Sequence, residues 1–172
     1  MTSRGAETWK AHTTAFDRVR SVAVTLTQPR SADWIAEEAH VAGNTAREHL
    51  QRLVGMNVLL EDDTRTPTTY RPDPLYLRMQ SLRELMTGKS RDDLLEQRAS
   101  NQERIEMWRA EYDADAPEDL YERAASTETA AETRDLKRAA NEWAHATYQL
   151  DLLADAIENY ERYADDTPAM AH

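Results

Sequence analysis

The chain has 172 residues, a hydrophobic fraction of 40%, no cysteine and a formal net charge of -11. That length allows one domain, or a small domain with a helical extension, and no apolar run approaches the roughly 18 residues of a membrane span. The missing cysteines exclude disulfides, iron–sulfur clusters and Cys-based zinc sites; the opening MTSRGAETWKAHTTAF has no apolar signal-peptide core, so a cytoplasmic protein without a membrane partner is expected.

Trp9, Phe16, Val19, Val22 or Ala23, and Leu26 recur at steps of three and four, which predicts a helix over 7–26. Pro29 ends it, and Ser31 is placed to cap a short second helix over 32–39, with Asp33 favouring its positive end. After the break at 40–43, Asn44 is expected to cap a third helix reaching Leu53 or Val54, and Gly55 to stop it in a left-handed conformation. Val58-Leu59-Leu60 reads as a short strand, 61–67 as a polar turn and Thr68-Thr69-Tyr70-Arg71 as the returning strand. Pro72 and Pro74 close this hairpin, and Pro74 suits the first turn of a helix.

Beyond Pro74 the pattern is helical almost throughout. Helices are predicted over 74–86, 91–112, 118–125 and 129–164, with Gly88 and the stretch 113–117 as breaks. The expected fold class is mainly α with a small β-hairpin. Its organisation would be an N-terminal domain over 1–73, a helical region over 74–165 and a flexible tail over 166–172.

The charge is divided unevenly. Residues 1–72 hold nine Arg or Lys and nine Asp or Glu, so residues 73–172 carry the entire excess of acid. This suggests two jobs, although a solvated acidic helix surface would give the same split. Only Lys10, Lys89 and Lys137 are lysines, and there is one Phe. Scarce lysine with abundant acid resembles proteins of extreme halophiles such as haloarchaea, where salt screens the self-repulsion of acidic surfaces.

Trp34–Val54 carries the functional signal. Ile35 and Ala39 share one face of the second helix, Val41 plugs the turn, and Ala46, Leu50 and Leu53 line the third helix. The opposite face of that third helix is left with Asn44, Thr45, Arg47, Glu48, Gln51 and Arg52, side chains able to reach base edges in a major groove. Arg47 is the candidate for a bidentate guanine contact, while Asn44 and Thr45 sit where helix N-terminal amides favour phosphate. Periodicity of this kind also fits any helical hairpin.

The segment IAEEAHVAGNTAREHLQRLVGMNVLLED resembles the winged helix-turn-helix regulators of archaea and bacteria, the ArsR, MarR and TrmB-like groups. Thr45, Arg47, His49, Leu50 and Leu53 occupy the matching positions; Ala42, Gly43 and Ala46 depart from the pattern. The resemblance covers about 10–85. It implies a third helix in the major groove and a wing whose Arg65, Thr66, Thr68 and Arg71 approach phosphates or the minor groove of double-stranded DNA.

In the tail, Leu136, Trp143, Leu150 and Ile157 repeat every seven residues, as do Ala139, Ala146, Leu153 and Tyr160. This seam is expected to join two copies into a coiled-coil-like homodimer, which would match a pseudo-palindromic operator. The alternative is packing within the chain, against Leu94, Ile105, Trp108 and Tyr112. No histidine pair has metal-ligand spacing, and no glycine-rich phosphate loop or nucleophile elbow is present, so no metal, cofactor or catalytic residue is expected. The leading expectation is a sequence-specific regulator, with or without an effector. A protein-interaction or antitoxin-like module is the second reading; a general architectural binder is the third, disfavoured by the near-neutral first half.

Overall fold

The computed structural model describes residues 12–164. Among them the protein is mainly helical with one small three-stranded antiparallel sheet, and no helix is long and apolar enough to cross a membrane. The chain forms two compact units that divide between Gln80 and Ser81.

The first unit begins with α1 (Ala15–Val24). Expected as one helix over 7–26, this region has a start at Ala15 because Thr14 caps it: the Asp17 amide donates to Thr14 Oγ1 at 3.1 Å, and the Thr14 amide to Asp17 Oδ2 at 3.3 Å. Trp9 lies outside the described residues. The two-residue strand β1 (Arg30–Ser31) leads into α2 (Ala32–Glu38), whose cap is Ser31 as expected, its hydroxyl accepting from the Trp34 amide at 3.3 Å.

Next comes α3 (Gly43–Gly55), and both of its expected ends are corrected. Ala42 occupies the N-cap position with no side-chain bond, and Asn44 sits inside the first turn. Gly55 is the last helical residue; the left-handed turn is made two residues later by Asn57 at φ 58°. Asn tolerates that conformation through its short polar side chain, so no glycine is needed there.

The hairpin pairs β2 (Leu59–Asp62) with β3 (Thr69–Pro72), register Leu59↔Pro72 to Asp62↔Thr69. β1 adds to the other side of β3, Arg30↔Tyr70 and Ser31↔Thr69, giving the order β1-β3-β2. Pro72 therefore ends a strand rather than lying beyond it. Helix α4 (Pro74–Met86) follows as expected.

The core of this unit is Val19 and Ala23 of α1, Ile35, Ala36 and Ala39 of the α2 end, and Ala46, Leu50 and Leu53 of α3, closed by Val58, Leu59 and Tyr70. Val41 is half-buried against it, in keeping with its expected place in the turn. Arg18 is buried too, with Nε donating to the Ala39 carbonyl at 3.0 Å and Nη1 to that of Thr13 at 2.8 Å. It clamps the C-terminal end of α2, where unpaired carbonyls favour a cation. Tyr76 of α4 packs on the same core and its hydroxyl accepts from Arg20 at 2.8 Å, which is why the unit extends past the boundary expected at residue 73.

The second unit contains α5 (Arg91–Tyr112), α6 (Pro117–Ala125), α7 (Ala130–Glu158) and the short α8 (Tyr160–Ala164). The break before α5 uses Gly88 at φ 69°, followed by a Ser90–Asp93 capping box. Arg123 of α6 donates to the Tyr112 carbonyl, and to that of Asp113 at 2.7 Å, so a cation closes the C-terminal end of α5. The helix expected over 129–164 is interrupted at Asn159. The tail expected over 166–172 lies outside the described residues.

The heptad seam is filled from within this unit. Ala139, Trp143 and Ala146 pack with Ile105 and Leu120, while Leu153 and Ile157 pack with Leu85 and Leu94; Leu136, Leu150 and Tyr160 border these clusters. Trp143 stacks on Trp108, ring centroids 6.3 Å apart. The Tyr160 hydroxyl donates to the Lys89 carbonyl at 3.0 Å. Of the eight residues expected to form a dimer seam, Ala139, Trp143, Ala146, Leu153 and Ile157 are buried by packing within the chain, the alternative arrangement, and Leu136, Leu150 and Tyr160 are half-buried.

Candidate nucleic-acid interface

Helix α3 stands with Ala46, Leu50 and Leu53 fully buried. At about 3.6 residues per turn, Asn44, Glu48 and Gln51 then point most directly away from the core, with Arg47 and Arg52 on opposite flanks. All five are exposed, and Thr45 is half-buried. The sequence thus places the solvent face correctly, but the structure shows its side chains already engaged with one another and with neighbouring elements.

Arg47 Nη2 meets Asp33 Oδ1 of α2 at 2.5 Å, and its Nη1 donates to Asn44 Oδ1 at 3.2 Å. Gly43 matters to this pair: a Cβ there would lie 3.3 Å from Asp33 Oδ1 and 3.5 Å from Arg47 Nη1. A side chain there would sit in contact with the ion pair over the first turn of α3, and the glycine leaves that space open. Arg52 lies over the Phe16 ring of α1 at 4.9 Å, and Phe16 meets the His49 ring edge-on at 5.5 Å.

Gln51 links this helix to the sheet. Its amide Nε2 donates to Glu61 Oε2 at 2.8 Å and to the Tyr70 hydroxyl at 3.4 Å. The α3 face and the start of the hairpin are therefore joined into one surface. At the hairpin tip, Arg65 and Thr66 are exposed and Thr68 is half-buried; Arg71 points outward from β3 between buried Tyr70 and Pro72.

The tip is organised by Asp62, whose Oδ1 accepts from the Thr64 hydroxyl at 2.5 Å and the Thr64 amide at 3.0 Å. These bonds hold its carboxyl below the ordinary aspartate pKa, with Arg65 and Arg71 acting in the same direction. The surface carries both signs throughout. Arg47, Arg52, Arg65 and Arg71 are interleaved with Asp33, Glu48, Glu61 and Asp62.

Three participants were not picked out as site residues from the sequence: Asp33, Glu61 and Arg30, the last stacked over Trp34 at 4.6 Å. Asp33 looks like a helix-dipole residue, and nothing in a spacing of 14 signals its pairing with Arg47. Glu61 and Arg30 sit at positions fixed only by strand pairing. Among the described residues, no group of three or more His, Asp or Glu side chains is placed to hold a metal ion.

The model of a family of unknown function, DUF7342, matches residues 13–162. No curated protein and no solved structure matches the chain.

Proposed function

The chain belongs to the DUF7342 family, and we propose that it is a sequence-specific DNA-binding transcription regulator of winged helix-turn-helix type, acting as a homodimer in the cytoplasm. The observation that carries this reading is the union of α3 and the hairpin through Gln51, Glu61 and Tyr70. A helix with a polar outward face, rigidly joined to a hairpin with exposed arginines, suits a major-groove reader beside a backbone or minor-groove contact.

Asn44, Glu48 and Gln51 form the centre of the reading face, with donors and acceptors for base edges. Arg47 reaches a guanine only by leaving Asp33, which makes that ion pair a restraint on base reading. Arg65, Thr66, Thr68 and Arg71 position the backbone and carry no sequence information themselves. With few net positive charges, affinity depends weakly on counterion release, a property suited to concentrated salt. The reading involves no catalysis and no cofactor. A pseudo-palindromic operator requires two copies, joined by a surface other than the filled seam.

The test is selection of duplexes from a random pool in concentrated KCl, followed by titration of variants. Arg47→Ala should lose about 1–3 kcal/mol of discrimination at one base position. Arg71→Ala should weaken selected and random duplexes alike. Failure to enrich any sequence, or equal losses for both variants on both duplexes, would overturn the assignment.

A second reading, a protein-interaction module, is favoured by Met107 and Tyr148 of the acidic second unit, 61% and 43% exposed. A partner retained by the full chain after nuclease treatment, and unaffected by Arg47→Ala, would support it.

A further inference from the structure

We propose that α3 selects bases bearing an exocyclic amine, adenine or cytosine, at neighbouring positions, because Glu48 and Gln51 present hydrogen-bond acceptors and no donors. This specificity rests on the DNA-binding reading of the same face. It follows from bonds already made within the first unit, which leave each outward side chain with a single polarity.

Gln51 carries a donor nitrogen and an acceptor oxygen. Its Nε2 lies 2.8 Å from Glu61 Oε2 and 3.4 Å from the Tyr70 hydroxyl. A carboxylate has nothing to donate, so the nitrogen must take that side and the amide has one orientation. Both Nε2 hydrogens are thereby engaged, while Oε1 has no partner among the described residues. Exposed Gln51 thus offers a carbonyl and no N–H. Glu48 is exposed as well, has no partner among the described residues, and its carboxylate can only accept. The opposite polarity sits at the start of the helix. Arg47 donates to Asn44 Oδ1, which leaves Asn44 its Nδ2.

Three residues of helix advance about 4.5 Å, close to a base-pair step of about 3.4 Å, so Glu48 and Gln51 address neighbouring pairs when α3 lies along the groove. In the major groove adenine N6 and cytosine N4 donate, whereas guanine O6 and thymine O4 accept. A protein acceptor bonds the first two and leaves the others desolvated and unpaired. A free glutamine would grip adenine through both of its groups. Held by Glu61, Gln51 loses that bidentate contact and takes cytosine as readily.

The test selects duplexes with the full chain in concentrated KCl, then resynthesises the selected duplex with one exocyclic amine removed at a time. Purine replaces adenine, 2-pyrimidinone replaces cytosine, and fluorescence anisotropy gives each affinity. Amine removal should weaken binding about two- to tenfold at two neighbouring base pairs. The loss at one should vanish in Gln51→Ala and at the other in Glu48→Ala, with circular dichroism verifying that each variant is folded. Glu61→Ala releases Nε2, so the base read by Gln51 should shift to adenine over cytosine by about fivefold or more.

A pool from which no sequence is enriched would overturn the regulator reading, and this specificity with it. An enriched duplex that loses every amine without weakening would overturn the specificity alone. So would losses that persist in folded Gln51→Ala and Glu48→Ala, because other groups would then read the amines. An unchanged preference between adenine and cytosine in folded Glu61→Ala would overturn the part given to the Gln51–Glu61 bond.

Discussion

Asp33→Asn is expected to tighten DNA binding, an outcome that a merely structural ion pair would not produce. The Arg47–Asp33 pair is short, but its side chains are 50% and 70% exposed. Solvent screening therefore limits its worth to about 0.2–1 kcal/mol. That amount is the cost of freeing Arg47 for a base. Removing it, together with an anion at the edge of the reading face, should raise affinity for the selected duplex roughly two- to fivefold.

The same substitution removes a first-turn acid from α2, at a cost of about 0.3–1 kcal/mol in fold stability. The melting temperature should fall by no more than about 2–4 °C. Fluorescence anisotropy on the selected and a scrambled duplex gives the affinities, and a cycle with Arg47→Ala isolates the coupling. If Asp33→Asn gains as much in the Arg47→Ala background, the pair does not restrain reading. Unchanged or weaker binding by a folded Asp33→Asn chain would refute the reasoning outright.

Other expectations follow from packing and titration. Leu153→Ala, at a fully buried seam position, should cost about 2–5 kcal/mol in urea unfolding and leave the oligomeric state seen by light scattering unchanged. Arg18→Met should cost about 1–3 kcal/mol by leaving the Ala39 carbonyl without its donor, and Arg18→Lys should recover only part of that loss. Asp17, Asp62 and Asp93 all titrate below the ordinary aspartate value of 3.8, held there by side-chain bonds from Thr14, Thr64 and Ser90 respectively, each followed by the same residue's backbone amide. Their contribution is complete above that value, because both states are then ionised. It is lost as pH falls through the lower folded-state pKa values, where the unfolded chain is already protonated. Acid titration of Asp93→Asn should accordingly show a smaller stability loss below about pH 4 than the parent chain.

Much of the element order was legible because its causes are local. α4 and α5 have the bounds that Pro74 and the break at Gly88 predict, and Ser31 caps α2 as read. The solvent face of α3 was also readable, since burying Ala46, Leu50 and Leu53 leaves only one outward direction. Thr14, by contrast, competes with a continuous apolar stripe from Trp9 onward. Periodicity there concealed a cap whose partner, Asp17, was equally local.

What the sequence by itself determined is where helices turn, which faces are apolar and how charge divides, because each depends on residues a few places apart. It could not determine what covers those faces. A heptad seam looks the same whether its partner is another copy or α5, and only the packing of Trp143 on Trp108 and Leu153 with Leu94 shows that the chain fills it from within. β1 has two residues, too few for any period, so pairing with β3 alone defines it. The engagement of Arg47 with Asp33 belongs to the same class: two exposed side chains 14 residues apart meet because α2 and α3 pack together there, beside Gly43.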